Sequence, residues 1–423
     1  MPMPLEALKQ DSLNIWRAAL PGSPDLGVLF SRGEQVHKEQ EVDSLMDQTD
    51  RSIGDLSAAS ANIKQRLLAV RGRVQQSMIQ LLHSFDCVID GDMERSFSEA
   101  TDDFIRQAYE FDPHLSQEDV YQASRNALIM NTVQMHLGME VAVTPSVLAY
   151  SMIYPYTDNF LDAAKISAQE KRQANRRLGM RLAGIIEPAR CGREEKIDAL
   201  VKMIEKEFDR RRYPLVYESL QAIHAAQCRS VSQQGEGALL PEEHLIDISF
   251  EKGGASVLAD GYLVAGELAE EDARFLFRFG VLLQLIDDLQ DLEEDGMRTH
   301  STPAGFAARN GCAEEFTNRL FSFCSGVLRP SSLHQERLRR LIDQSCRLLL
   351  FEAVAANSEQ YGAEYCSALE DHSPVRFAYL RSVKARLQRV RQNKMGGQLP
   401  RPEFRVPRPE GVARPHSLQG HPA

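Results

Sequence analysis

From Ser57 onward, apolar residues recur at three- and four-residue steps almost without pause, which is the spacing of one face of an α-helix. IKQRLLAVRGRVQQSMIQLLHSF shows the pattern well. Alternating runs bounded by Asn-Gly or Asp-Gly turns, which would mark strands and hairpins, are not found. The pattern predicts an all-α protein with one helical domain over residues 57–393. Residues 1–56 carry weak periodicity, several prolines and the polar stretch GEQVHKEQEVDSLMDQTD, and read as an irregular N-terminal arm. Residues 394–423 are rich in Pro, Gly and Arg with few apolar side chains, a composition that predicts a disordered tail.

Helix starts are punctuated by prolines. Thr144-Pro145 places a cap residue before a first-turn proline, and Ser373-Pro374 does the same ahead of VRFAYLRSVKARLQRV. GEGALLPEEHL reads as a loop followed by another proline-led helix.

Two of these helical segments turn acidic. In LAYSMIYPYTDNFLDAAKIS, Asp158 and Asp162 are four apart and share a helix face above Tyr154, Ser151 and Val147. Pro155 should kink the helix just below them. In FRFGVLLQLIDDLQDLEEDGMRTHST, Asp287, Asp291 and Asp295 fall at i, i+4 and i+8, with Asp288 beside them. The preceding FGVLLQLI is apolar nearly all round and should be buried. Like charges one turn apart repel by roughly a few tenths of a kcal/mol per pair. Stacked near a core, they call for a counter-cation. The second run alone reads equally well as a solvated helix face, and the Asp158/Asp162 pair alone reads more readily as one. Two of them, each ending an apolar helix, point to a site.

Magnesium (Mg2+) fits this donor set. It takes oxygen ligands in an octahedron and is usually held by one or two carboxylates plus substrate phosphates. Such ions would neutralise charge on a departing diphosphate. The allylic cation left behind needs a dry cavity with aromatic faces, and Tyr154, Tyr150 and Phe279 are candidates by helical phase.

Composition narrows the class further. Hydrophobic residues make up 43% and charged residues 26%, enough for a large core. The net charge of -11 lacks the basic excess of a nucleic-acid binder. The seven cysteines are scattered without a CxxC pair, which argues against zinc and for reduced thiols in a cytosol. The N-terminus lacks the basic-then-apolar order of a secretory signal, and no apolar run approaches the roughly 20 residues of a membrane span. A soluble, cytoplasmic protein without a transmembrane segment is expected.

At these residues the chain resembles the class I isoprenoid synthase superfamily. Phe279-Gly280, Gln284, Asp287-Asp288 and Asp291 look like the second aspartate-rich motif of trans-prenyl diphosphate synthases. Lys252-Gly253-Gly254-Ala255 stands where that family has a Lys-Thr-Gly element whose lysine touches diphosphate. Gly296-Met297-Arg298 resembles the glycine-plus-base that follows the motif. The likeness covers roughly Tyr150 to Thr299. It implies a helical bundle around a central cavity, with Asp158, Asp162, Asp287, Asp288 and Asp291 as catalytic carboxylates. Magnesium would sit on Asp158, Asp162, Asp287 and Asp291. Lys252, Arg298, Arg212 and Arg177 would bind diphosphate, and Tyr154, Tyr150, Phe279 and Gln284 would line the cavity.

The first motif departs from the prenyltransferase pattern: Asn159 follows Asp158, giving DNxxD, and Arg176-Arg177 lies further downstream than the family's arginine pair. That departure is similar to bacterial terpene cyclases. The implied function is a terpene synthase that ionises a prenyl diphosphate and quenches or cyclises the cation. A trans-prenyl diphosphate synthase using isopentenyl diphosphate is the alternative, and a non-catalytic helical subunit of such an enzyme is a third reading. The resemblance also admits a homodimer. Further basic candidates are Arg125, Arg210, Arg211, Arg376 and Arg381. His136 and His224 read as core or groove histidines. Lys252 is favoured because the adjacent glycines would let a backbone approach a ligand.

Overall fold

The computed structural model describes residues 3–22, 24–58, 90–162, 166–234, 240–329 and 335–395; for 49–58, 158–159, 161–162, 168 and 387–395 this extends to the backbone alone. Sixteen α-helices occur among them, and no strand. They are α1 (Leu5–Ala18), α2 (Arg32–Ala58), α3 (Gly91–Phe111), α4 (Gln117–His136), α5 (Pro145–Asp162), α6 (Ala168–Leu182), α7 (Gly192–Glu207) and α8 (Pro214–Ser230). Then follow α9 (Glu242–Ala265), α10 (Glu270–Gln290), α11 (Leu292–Met297), α12 (Pro303–Arg309), α13 (Ala313–Val327), α14 (Glu336–Ala356), α15 (Ala363–Glu370) and α16 (Phe377–Met395). The all-α expectation holds. No described helix is long and apolar enough to cross a membrane. The helix expected over IKQRLLAVRGRVQQSMIQLLHSF and the tail from residue 396 lie outside the described residues.

At the centre, α9 and α10 run antiparallel in close contact. Their apolar residues are buried on nearly every side, among them Phe250, Val257, Leu263, Phe277 and Leu282. Glycines set the approach. A Cβ on Gly253 would lie 2.5 Å from the Gly280 carbonyl oxygen, and one on Gly280 would collide with the Gly253 carbonyl oxygen. A Cβ on Gly254 would enter the Phe277 ring. The expectation that Gly253 and Gly254 open a backbone to a ligand is therefore corrected: both sit inside α9, and they admit α10.

Gly280→Ala separates two opposing effects. Alanine adds about 1 kcal/mol of helix propensity. It also pushes two backbones apart at the most tightly packed contact, and overpacking costs about 1–3 kcal/mol. Because neither backbone can swing aside as a side chain would, a net loss of stability is expected. Urea unfolding would show it as a lower midpoint; an unchanged or raised midpoint would mean that the helices part easily.

The reading of residues 1–56 as irregular is also corrected. Helix α1 buries Leu8, Leu13 and Trp16 in the main core. The Trp16 ring meets Phe250, Phe316 and Phe323 edge-on, with centroids 6.1, 5.5 and 5.6 Å away. Two polar residues on the buried face hid the periodicity. Lys9 is buried because Asp247 and Glu6 pair with it at 2.8 and 3.0 Å. Ser12 is buried because its hydroxyl donates to the Leu8 carbonyl, 3.0 Å. Polar helix α2 buries Val42 in the same core and is fixed by hydrogen bonds as well. Gln35 donates to the Glu370 and Ser373 carbonyls, and Glu39 accepts from the Arg376 guanidinium and backbone.

Cap readings fared unevenly. The Thr144 hydroxyl accepts from Val147 N at 3.3 Å and α5 begins at Pro145, as expected. Pro241 precedes α9. Ser373-Pro374 does not open α16, which starts at Phe377. The Ser373 hydroxyl donates to the Val375 carbonyl, and Glu370 caps Phe377 N at 2.6 Å.

Candidate active site

The register of α9 on α10 fixes which residues meet. The Ser249 hydroxyl donates to Asp288 Oδ2 at 3.0 Å, Gly253 faces Gly280 and Gln284, and Gly261 faces Leu276. The first half of α9 therefore lies beside the acidic end of α10. Helix α5 joins them at a known level. Its Ser146 N donates to Glu207 at the end of α7, next to Phe208, which packs at Gly266 just after α9. Midway, Ser151 accepts from Asn126 of α4, and Asn126 also acts on Asp260 of α9. From Ser151 to Asp158 the α5 backbone rises about 10 Å; from Asp260 back to Lys252 the α9 backbone rises about 12 Å the same way. The side chains of Asp158 and Asp162 lie outside the described residues.

Helix α10 ends at Gln290, so the second acidic run is not one continuous helix. Asp291 N still bonds the Asp287 carbonyl (3.0 Å) and Asp295 N the Asp291 carbonyl (2.8 Å), which keeps the three aspartates one turn apart. Their environments differ. The Asp287 side chain is open to solvent, and desolvation by the surrounding protein raises its pKa. The charges of Lys252 and Arg125 act against that rise; Asp295 and Glu294 add to it. Asp291 is pushed up to about 6, first by burial and then by Asp287, Asp295 and Glu294. Asp295 is paired with His300 at 3.1 Å.

Asp288 faces elsewhere. It is buried between α9 and α10 and accepts from Ser249 and from Gln284 Nε2, the latter at 2.8 Å. Burial pushes it up to about 7. It is a hydrogen-bonded acid in the helix interface, and Gln284 is its holder more than a cavity wall. Because the folded pKa lies above the unfolded one, the folded state keeps a proton that the unfolded chain releases. Stability from this group is therefore full below about pH 4 and is lost as pH rises toward 7. Asp288→Asn should flatten that decline. Urea unfolding of both proteins at pH 5 and pH 8 checks it; equal declines would count against a buried acid.

The basic candidates divide. Lys252 and Arg125 act on Asp287. Arg177 does not stand free: Glu187, Glu194 and the Pro188 carbonyl take up its guanidinium. Arg298 is exposed and pairs with Glu294 of its own short helix at 2.6 Å. Arg212 precedes Tyr213, which packs at Gly266, at the far end of α9. That end is about 21 Å along the helix from Lys252. Arg210 is tied to Glu205 and the Leu182 carbonyl.

Among the aromatic candidates, Tyr150 is half-buried and packs on Ile223, Ala255 and Ala259, facing inward between α8 and α9. Tyr154 is 43% exposed. Phe279 is buried and stacks on Phe275 at 5.8 Å. Sequence reasoning missed Ser249 and Asn126, whose only signal was a polar residue within an apolar helix.

Among the described residues, no group of three or more His, Cys, Asp or Glu side chains is arranged to hold a metal ion. Asp287 and Asp291 nonetheless suit a hard cation: two accessible carboxylates one turn apart, with Asp287 opposing the charge of Asp291. Asp288 does not, because its oxygens are taken. Compared with protein-family models, curated proteins and solved structures, the chain matches none.

Proposed function

We propose that this protein is a magnesium-dependent class I isoprenoid synthase that ionises an allylic diphosphate and quenches or cyclises the resulting cation. The observation that carries the reading is the placing of Asp287 and Asp291 one turn apart with Lys252 and Arg125 acting on Asp287, while α5, which bears Asp158 and Asp162, packs against α4 and α9. Bound magnesium would supply charge neutralisation for the departing diphosphate. Asp287 and Asp291 would hold it from α10, and Asp158 and Asp162 from α5. Lys252 and Arg125 would attract the diphosphate to the Asp287–Asp291 pair and orient it. Tyr150 would offer an aromatic face to the hydrocarbon.

One observation favours cyclisation over chain elongation. An elongating enzyme binds two diphosphates and needs a second basic cluster. Arg210 and Arg212 lie at the far end of α9, and Arg177 is held by glutamates. The basic groups that act on Asp287 are Lys252 and Arg125, enough for one diphosphate.

The test is incubation of the purified protein with magnesium and allylic diphosphates of increasing length, with and without isopentenyl diphosphate. Release of diphosphate and a non-phosphorylated terpene from the allylic substrate alone is expected. A longer prenyl diphosphate, made only when both substrates are present, would reverse the assignment in favour of a prenyltransferase.

A further inference from the structure

Pro155 stands inside α5, so the Ser151 carbonyl lacks the amide that would meet it one turn later. The last turn of α5 is therefore tied to the rest of its helix more weakly than an ordinary turn. Contacts from two other helices hold it. The Tyr156 hydroxyl donates to Asp112 Oδ2 at 2.6 Å, and the Tyr156 ring meets Phe111 edge-on with centroids 6.4 Å apart. One turn on, the Arg193 guanidinium lies over the Phe160 ring, 3.9 Å from its centroid. Arg193 Nη1 also donates to the Tyr156 carbonyl at 3.2 Å.

Both contacts lead back to the first turn of α7. Lys196 follows Arg193 by three residues on the same face of that helix. It pairs with Asp112 at 3.5 Å and donates to the Phe111 carbonyl at 3.1 Å. Asp112 is buried and also accepts from His114 N at 3.0 Å, so it is fixed before Tyr156 reaches it. Arg193 thus grips the end of α5 directly, and Lys196 grips it through Asp112.

Helix geometry decides what this grip controls. Positions 156 and 160 lie one turn apart on one face, and positions 158 and 162 lie one turn apart about 200° round the axis. Holding Tyr156 and Phe160 sets the rotation of the turn and places 158 and 162 on the face opposite α7. Magnesium takes its oxygens at about 2 Å in a near-ideal octahedron, so a ligand-bearing turn that can rotate binds it less well.

We propose that Tyr156 and Arg193 are positioning residues that hold the last turn of α5 in the setting at which it binds magnesium. The inference rests on the function proposed above, which gives Asp158 and Asp162 to the metal, and it names the groups that fix them.

The experiment compares wild type with Tyr156→Phe, Arg193→Met and Arg193→Lys. Tyr156→Phe loses only the hydroxyl. Arg193→Met keeps a chain that can cover Phe160 but loses the charge and the donor. Arg193→Lys keeps the charge without the flat face that lies on the ring. Each is titrated with magnesium alone, following melting temperature, and then with magnesium and an allylic diphosphate, following diphosphate release. Tyr156→Phe and Arg193→Met should each need about tenfold more magnesium for half of the full effect in both titrations, the usual loss when a group supporting a metal ligand is removed. Excess magnesium should bring release back to within about threefold of wild type, because the ligands themselves remain. Arg193→Lys should lie between Arg193→Met and wild type. Tyr156→Phe decides the matter if Arg193→Met folds poorly. Unchanged magnesium dependence in Tyr156→Phe and Arg193→Met, in a protein that releases diphosphate, would overturn this inference alone. A lower melting temperature with unchanged magnesium dependence would make the two residues structural and overturn it too. A wild type that neither gains melting temperature with magnesium nor releases diphosphate would overturn both readings together.

Discussion

Asp287→Ala should reduce diphosphate release by about a hundredfold or more while leaving helix content intact. Stabilising charge on a leaving group through a bound ion is worth several kcal/mol, and each 1.36 kcal/mol is tenfold in rate. Asp287 is the carboxylate on which Lys252, Arg125, Asp295 and Glu294 all act, so it stands at the electrostatic centre of the candidate site. Its loss should not destabilise the fold. Burial already disfavours its charge, and removing it relieves repulsion on Asp291. Activity and stability should therefore move in opposite directions. Chelation of the wild type should abolish release, magnesium should restore it, and manganese is an expected substitute. Magnesium should also raise the melting temperature of wild type and not of Asp287→Ala. Full turnover in chelator, or in Asp287→Ala, would sink the metal-based mechanism.

Trp16→Ala should cost about 3–5 kcal/mol, the range for removing a large aromatic from a packed core. Trp16 is 2% exposed and touches rings from α9 and α13. The surrounding phenylalanines belong to rigid helices and cannot collapse into the space. One of them, Phe250, lies two residues before Lys252, so the end of α9 at the candidate site should loosen as well. Urea unfolding measures the loss directly. A change below about 1 kcal/mol would mean that α1 lies on the core without belonging to it. Such a result would return residues 1–56 to the role of an arm.

The helical class was legible because the three- and four-residue spacing is local, and each buried face announces itself within a few turns. Both acidic runs were legible for the same reason. Helix α1 was not, since Lys9 and Ser12 interrupt its apolar face. Their burial depends on Asp247, some 240 residues away in the chain, and on a carbonyl of the same helix. The start of α16 was misplaced because its cap is Glu370, with Glu39 holding Arg376, and not Ser373.

The candidate site divides along the same line. Periodicity put Asp287 and Asp291 on successive turns, a property of backbone geometry alone. It could not tell that adjacent Asp288 turns into the α9–α10 interface, because a helix points neighbouring residues about 100° apart and only packing decides which direction is inside. It marked Gly253 and Gly280 as glycines, but their use emerged only when two backbones were brought into contact. The resemblance nominated Lys252, Arg298, Arg212 and Arg177, with Lys252 favoured for glycines that in fact admit α10, and Arg125 stood only among the further candidates. The sequence by itself determined which side chains exist and on which face of its own helix each lies. The tertiary structure decided that Lys252 and Arg125 act on Asp287 while Arg177 and Arg298 are held by glutamates. Electrostatic partnership depends on separation in space, and the distance between residues on different helices is set by packing that no local pattern encodes.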